Sequence, residues 1–155
     1  MKFAPIDFTS WPRGQYFNVH FNVVPNTYSM TVNIDISTLI QAVKGNDLKF
    51  YPVIMYCIST IVNRHDEFKA GYIDEKVGIY DRIVPAYTIF HIDTQTYAKL
   101  WTEYNIDFKN FYDNCTGDMK AYKDVRTLDE YLFAKPNAPP NIFTISVLPW
   151  TSFTG

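Results

Sequence analysis

Basic runs, glycine-rich loops and paired cysteine ligands are all missing from this sequence. Lysine and arginine number 14 against 16 aspartates and glutamates, a formal net charge of −2. Nothing in that balance argues for nucleic acid or an anionic membrane as partner. The only two cysteines, Cys57 and Cys115, stand in unrelated contexts with no metal or redox spacing. Reduced, structural thiols in a cytoplasmic protein are therefore expected, with no metal. The opening M-K-F-A-P-I-D-F has no charged segment followed by an apolar one, so no signal peptide is read. The longest apolar stretch, residues 51–62, is too short to span a bilayer and is broken by Ser59 and Thr60. There is no phosphate-cradling glycine loop, no G-x-S-x-G elbow and no H-E-x-x-H.

What the chain does have is aromatic side chains: 12 Tyr, 12 Phe and 3 Trp in 155 residues. Rings with polar tips suit walls that are apolar and still orient a ligand. The length fits one domain with a real core, and no repeat, low-complexity segment or compositional break divides it. A helix is expected within residues 7–21, with Thr9 or Ser10 as cap and Pro12 in the first turn. Arg13 lies in that first turn, where a cation gains nothing from the helix dipole, so it is a solvated charge or is held by a carboxylate elsewhere. Residues 23–36 alternate Tyr28, Met30, Val32, Ile34 and Ile36 with polar residues, which predicts a strand. Ser37 then caps a short helix, 38–44, closed by Gly45-Asn46, and Pro52 opens a helix, 53–64, apolar nearly all round and so buried.

Residues 68–73 and 77–82 read as strands joined by a tight turn at Asp74-Glu75, and 86–92 as a further strand. Thr96 is expected to cap the longest helix, 97–114, with Tyr97, Leu100, Trp101, Tyr104, Phe108, Phe111 and Tyr112 on one face. A second, polar helix follows over about 119–132. A proline-rich link, 136–140, delivers the chain to a last strand in which Phe143, Ile145 and Val147 alternate with Thr144, Ser146 and Leu148, ended by Pro149. The fold class is α/β, a mixed β-sheet covered by helices.

The hydroxyl of Ser146 falls in that otherwise apolar strand. It bonds to a neighbouring backbone group, or it is aimed into a pocket to stabilise charge that appears in a transition state. The carboxylates are scattered without an acid/base spacing. Of the three histidines, His20 falls near the end of the first helix, His65 at a helix terminus, and His91 in an apolar strand as a satisfied core residue. By themselves these residues specify no reaction.

Read together, S-W-P-R-G-Q-Y-F at 10–17, T-Y-S-M-T-V-N-I-D-I-S at 27–37, K-F-Y-P-V at 49–53, Y-T-I-F-H-I-D-T-Q-T-Y at 87–97, L-W-T-E-Y at 100–104 and I-S-V-L-P-W-T-S-F-T at 145–154 resemble the chloramphenicol acetyltransferases. The likeness runs through the whole chain, yet over only about the first two thirds of the family's usual length. It implies a CoA-dependent acyltransferase-like domain over 1–155, incomplete at its C-terminal part. It also implies transfer of acetyl from acetyl-CoA to the 3-hydroxyl of chloramphenicol or a similar small-molecule alcohol, by a cytoplasmic homotrimer. Ser146 matches the family's oxyanion-stabilising serine, and Arg13 an arginine that braces the site. Val19, His20, Asn26, Tyr28, Ala86, Tyr97 and Phe133 match positions lining the chloramphenicol pocket, and Trp150 one near the coenzyme tunnel. His20 and Asn26 depart from the aromatic residue and cysteine often found there.

The family's general base is a histidine in H-H-x-x-x-D-G, and no such motif occurs in these residues. The chain is thus expected to be an acetyltransferase by family, incompetent by itself. The alternatives are a catalytically silent small-molecule binding or interaction protein of the same fold, or recruitment of His20 or His91 as a substitute base.

Overall fold

Backbone pairing gathers the strands of residues 1–148, which the computed structural model describes, into two three-stranded sheets. The first sheet has β1 (Phe3–Pro5) and β2 (Ala70–Ile73) on either side of β3 (Lys76–Tyr80), all antiparallel. The second has β4 (Val84–His91) at its centre. β5 (Thr96–Trp101) runs antiparallel on one side of it and β6 (Ile142–Ile145) parallel on the other. Four α-helices accompany them: α1 (Gly14–Asn18), α2 (Ser37–Gly45), α3 (Phe50–Arg64) and α4 (Phe108–Tyr122). The α/β class with a mixed sheet is as the patterning predicts.

The elements read correctly are those with local causes. Asp74 and Glu75 both have positive φ, 47° and 60°, the geometry of a two-residue hairpin turn whose twist matches the strands it joins. The α2 helix starts within a residue of the expected boundary, but Ser37 is its first residue rather than its cap: Ile36 holds the N-cap position without a side-chain bond, and the Asp35 carboxylate accepts the Ser37 N–H at 2.9 Å. Pro52 sits in the first turn of α3, where its missing N–H costs nothing. That helix buries Pro52, Val53, Met55 and Ser59, while Ile61 on its far side is exposed, so it is covered on one face rather than all round.

Four expectations fail. Residues 24–36 form no strand: the stretch has no regular secondary structure and is largely exposed, with Tyr28 at 86 % and Ile34 at 75 % of full accessibility. Alternation prepares a strand, but the ladder must come from a neighbour, and none pairs with it among the described residues. The helix expected over 97–114 is instead β5, a loop and α4. Thr96–Trp101 pairs with β4 along its whole length, His91 with Thr96 through to Ala86 with Trp101. Ala98 and Leu100 face the core with Tyr97, Lys99 and Trp101 on the other side, so period 2 wins over the helical spacing that the same aromatics also satisfy. The polar helix over 119–132 is likewise absent, since α4 ends at Tyr122 and the chain continues as turns. Near the N-terminus, Thr9 and Ser10 direct their hydroxyls to the Asp7 carboxylate, at 2.7 and 3.0 Å, instead of capping, and α1 begins only at Gly14. The short β1, with no alternation to betray it, escapes sequence reading.

The core lies between the β4–β5–β6 sheet and the α3 and α4 helices. Met55, Tyr87, Leu100, Phe111 and Cys115 are wholly buried there. Asp107 caps α4, its carboxylate accepting the Asn110 N–H at 2.8 Å. Asp107→Ala is expected to cost about 1 kcal/mol, and to lower Tm by about 2–4 °C in a thermal melt; an unchanged melt would show that the cap carries no stability.

At the edge of the other sheet, the Lys2 N–H bonds Asp81 at 2.9 Å and the Arg82 N–H bonds it at 3.0 Å. These bonds, that from Lys2 first, hold the Asp81 carboxyl below its ordinary value of 3.8. A depressed carboxylate stabilises the fold above its unfolded value and ceases to do so as pH falls through the folded one. Asp81→Asn should therefore lower Tm at about pH 6 and leave it unchanged at about pH 2. A loss of equal size at both pH values would count against this attachment.

Candidate active site

β4 decides which side chains share a face. Tyr87 and Ile89 point to the helices, with Leu100 and Ala98 opposite them. Ala86, Thr88 and Phe90 point to the other face, where their partners on β5 are Trp101, Lys99 and Tyr97. Ala86 is buried between Trp101 and Thr144, while Tyr97 is about half exposed. Phe133 joins this face by lying alongside β5: the Lys99 N–H bonds the Leu132 carbonyl at 2.8 Å and the Ala134 N–H bonds the Lys99 carbonyl at 2.9 Å. The Lys99 ammonium stands 5.7 Å from the Phe133 ring centroid. Three expected pocket residues, Ala86, Tyr97 and Phe133, are thus brought together by the sheet.

Ser146 follows the last β6 residue, and the register Tyr87 to Ile145 sets it down just past the middle of β4. It is exposed, outside the strand. The expectation of a buried strand hydroxyl is corrected: β6 stops at Ile145, so the hydroxyl meets solvent. Trp150 and Pro149 lie outside the described residues.

The remaining expected residues belong to another part of the molecule. Val19 and His20 lie in a π-helical turn, Val19–Val23, that continues α1, with Asn26 and Tyr28 on the exposed stretch after it. His20 Nδ1 accepts from the Asn26 amide at 2.9 Å, which leaves the ring proton on Nε2 when the imidazole is neutral. Arg13 occupies the N-cap position of α1, exposed and without an ion pair among the described residues, so no carboxylate there holds it. The packing of α1 runs the other way, through Phe8, Trp11, Phe17 and Phe21 to Tyr72 on β2. His91 is buried, and its Nε2 has no hydrogen-bond partner among the described residues, contrary to the satisfied core histidine expected.

Sequence reasoning missed a polar chain under the sheet. Lys135 bonds both oxygens of Asp118 at 2.9 and 2.8 Å, Asp118 accepts from Thr102 Oγ1 at 2.7 Å, and Thr102 lies 2.9 Å from the Tyr87 hydroxyl. Cys115 Sγ closes it, 3.6 Å from the same hydroxyl. Burial pushes the Cys115 thiol up to about 11 and raises Tyr87 as well, so both stay protonated. No spacing in the sequence signals these contacts, which join four separate segments. Among the described residues, no group of three or more His, Cys, Asp or Glu is placed to hold a metal ion, and no helix is long and apolar enough to cross a membrane.

Two grooves open elsewhere, one of about 360 Å³ beside Asn63, Arg64 and Arg82, the other of about 600 Å³ beside Asp113, Asp118 and Lys135. Neither of these is lined by Ser146, Ala86, Tyr97 or Phe133.

The fold is matched by that of a solved chloramphenicol acetyltransferase. The two match with a TM-score of 0.77 at 20 % identity, over 99 % of this chain and 74 % of that one. The fold is that of an α/β acyltransferase. The family model described as chloramphenicol acetyltransferase matches residues 1–155. A chloramphenicol acetyltransferase of Clostridium perfringens is 45 % identical over 156 residues, covering all of this chain and 72 % of that protein. One of Clostridioides difficile is also 45 % identical, with 70 % of its length covered. The chain belongs to the chloramphenicol acetyltransferase family.

Proposed function

We propose that this chain supplies the substrate-receiving and oxyanion-stabilising side of a chloramphenicol O-acetyltransferase that draws acetyl from acetyl-CoA. The placement of Ala86, Tyr97 and Phe133 on one sheet face, with Ser146 leaving from the strand beside it, is the observation that carries the reading. The antibiotic lies on that face, and Val19, His20, Asn26 and Tyr28 complete the wall when the π-helical turn and the exposed stretch after it close on it. The 3-hydroxyl attacks the thioester carbonyl as its proton leaves. The tetrahedral oxyanion accepts a hydrogen bond from Ser146, and collapse expels the coenzyme thiolate. Arg13 braces the site and Trp150 lies near the coenzyme. The working form is a cytoplasmic homotrimer.

The proton acceptor comes from outside these residues, because they hold no H-H-x-x-x-D-G. His20 is engaged with Asn26 and His91 is enclosed in the sheet, so neither substitutes for it.

The test joins the chain to the C-terminal segment of the Clostridium perfringens relative and follows thiol release from acetyl-CoA. Release that depends on chloramphenicol supports the reading, and none at saturating substrates sinks it. Calorimetric binding of chloramphenicol by that joined chain without turnover would assign a binding protein instead.

A further inference from the structure

We propose that Lys135 and Asp118 are positioning residues for Phe133, holding the loop that carries this ring against the edge of β5. The proposal rests on the reading of the Ala86–Tyr97–Phe133 face as the substrate wall. Phe133 lies in a stretch with no secondary structure of its own, so its place depends on what ties that stretch at either end. On the N-terminal side, Asp129 Oδ1 accepts the N–H groups of Tyr131 and Phe133 at 2.9 and 2.8 Å. Leu132 between them has φ of 66°, a left-handed conformation that a leucine keeps only when its surroundings enforce it.

On the C-terminal side, enforcement falls to Lys135. Its ammonium bonds both Asp118 oxygens and stands 4.0 Å from the centroid of the Trp101 ring, whose Nε1–H reaches the Pro136 carbonyl at 3.3 Å. Other ion pairs of the protein are open to solvent, such as Lys109–Asp113 with side chains 82 % and 55 % exposed. In Lys135–Asp118 the figures are 19 % and 18 %. Partial enclosure reduces screening, so this pair holds its geometry where an exposed one would not.

Asp118 is itself immobilised by a one-way chain of donors. A carboxylate only accepts, so the Thr102 hydroxyl spends its proton on Asp118 and must accept from Tyr87; Tyr87 in turn accepts from the Cys115 thiol. Tyr87, Thr102 and Cys115 are fully buried, so the anchor of the loop is the core itself. The position of Phe133 is thus referred, through Lys135 and Asp118, to β4 and α4 rather than to the loop's own sequence.

The experiment uses the 155-residue chain, comparing Lys135→Met, Lys135→Arg and the double variant Asp118→Asn/Lys135→Met, which leaves no unpaired carboxylate should the single change fail to fold. Amide exchange is read at Lys99 and Ala134, whose N–H groups make the two bonds between loop and β5, and across the β4–β5 ladder. Loss of the lysine should speed exchange at Lys99 and Ala134 about tenfold while the ladder is unchanged, and Lys135→Arg should restore most of it. Calorimetric affinity for chloramphenicol should fall about tenfold in parallel. Uniform acceleration over the whole sheet would reduce the pair to a general stabiliser, and unchanged exchange at Ala134 would overturn the proposal. Should the unaltered chain not bind chloramphenicol, the exchange result still decides the positioning role, and the failure falls on the substrate reading alone.

Discussion

Joined to the C-terminal segment of its Clostridium perfringens relative, the chain is expected to acetylate chloramphenicol about 10²–10⁴ times faster than the 155 residues alone, the range that a positioned general base contributes. The estimate is bounded from below by what the chain already offers. Ser146 is exposed at the end of β6, free to turn its hydroxyl toward a bound thioester, and Ala86, Tyr97 and Phe133 share the face beside it. In the joined chain, Ser146→Ala should lower kcat by about 10²–10³ with KM little changed. A donor aimed at an oxyanion acts on the transition state and not on the bound substrates. Continuous measurement of released thiol reads both effects. A rise in KM alone would place Ser146 in ground-state binding, and an unchanged kcat and KM would remove it from the reaction.

Phe111→Ala is expected to destabilise the chain by about 3–5 kcal/mol, a large part of the 5–15 kcal/mol typical of a whole domain. Phe111 is wholly buried on α4, its ring centroid 5.7 Å from that of Tyr56 on α3 and 6.3 Å from that of Tyr104 after β5. Removing it opens a void that three separate segments would have to fill together, and close-packed interiors relax only in part. The expected drop in Tm is roughly 6–20 °C at the 2–4 °C per kcal/mol of a chain this size. Near-ultraviolet circular dichroism during a thermal melt checks it, because the lost contacts are aromatic. Phe111→Leu keeps most of the volume and should cost less than about 1.5 kcal/mol. An equal loss from both variants would show that ring geometry, not filled space, holds α4 in place.

Legibility follows the range of the interactions involved. The α2 and α3 helices and the β2–β3 hairpin were readable because their causes lie within a few residues: Asp35 and Ser37 at one helix start, Pro52 at another, Asp74-Glu75 at the turn. The segment after Thr96 was misread because Tyr97, Leu100, Trp101 and Tyr104 satisfy a helical spacing and a strand alternation at once. Only pairing with β4 resolves the ambiguity. Family likeness is also legible in the residues, and it pointed to the expected wall before any geometry was known.

By itself, then, the sequence determined the class of fold, the helices with local signals and the family. Tertiary structure alone decided that Thr96–Trp101 is a strand, that residues 24–36 have no ladder among the described residues, that Ser146 lies outside β6, and that Lys135 answers Asp118. The physical reason is common to all four. A cap or a turn is closed by neighbours in the chain, whereas a ladder, a strand end and an ion pair depend on residues far away in sequence, which only folding brings within bonding distance.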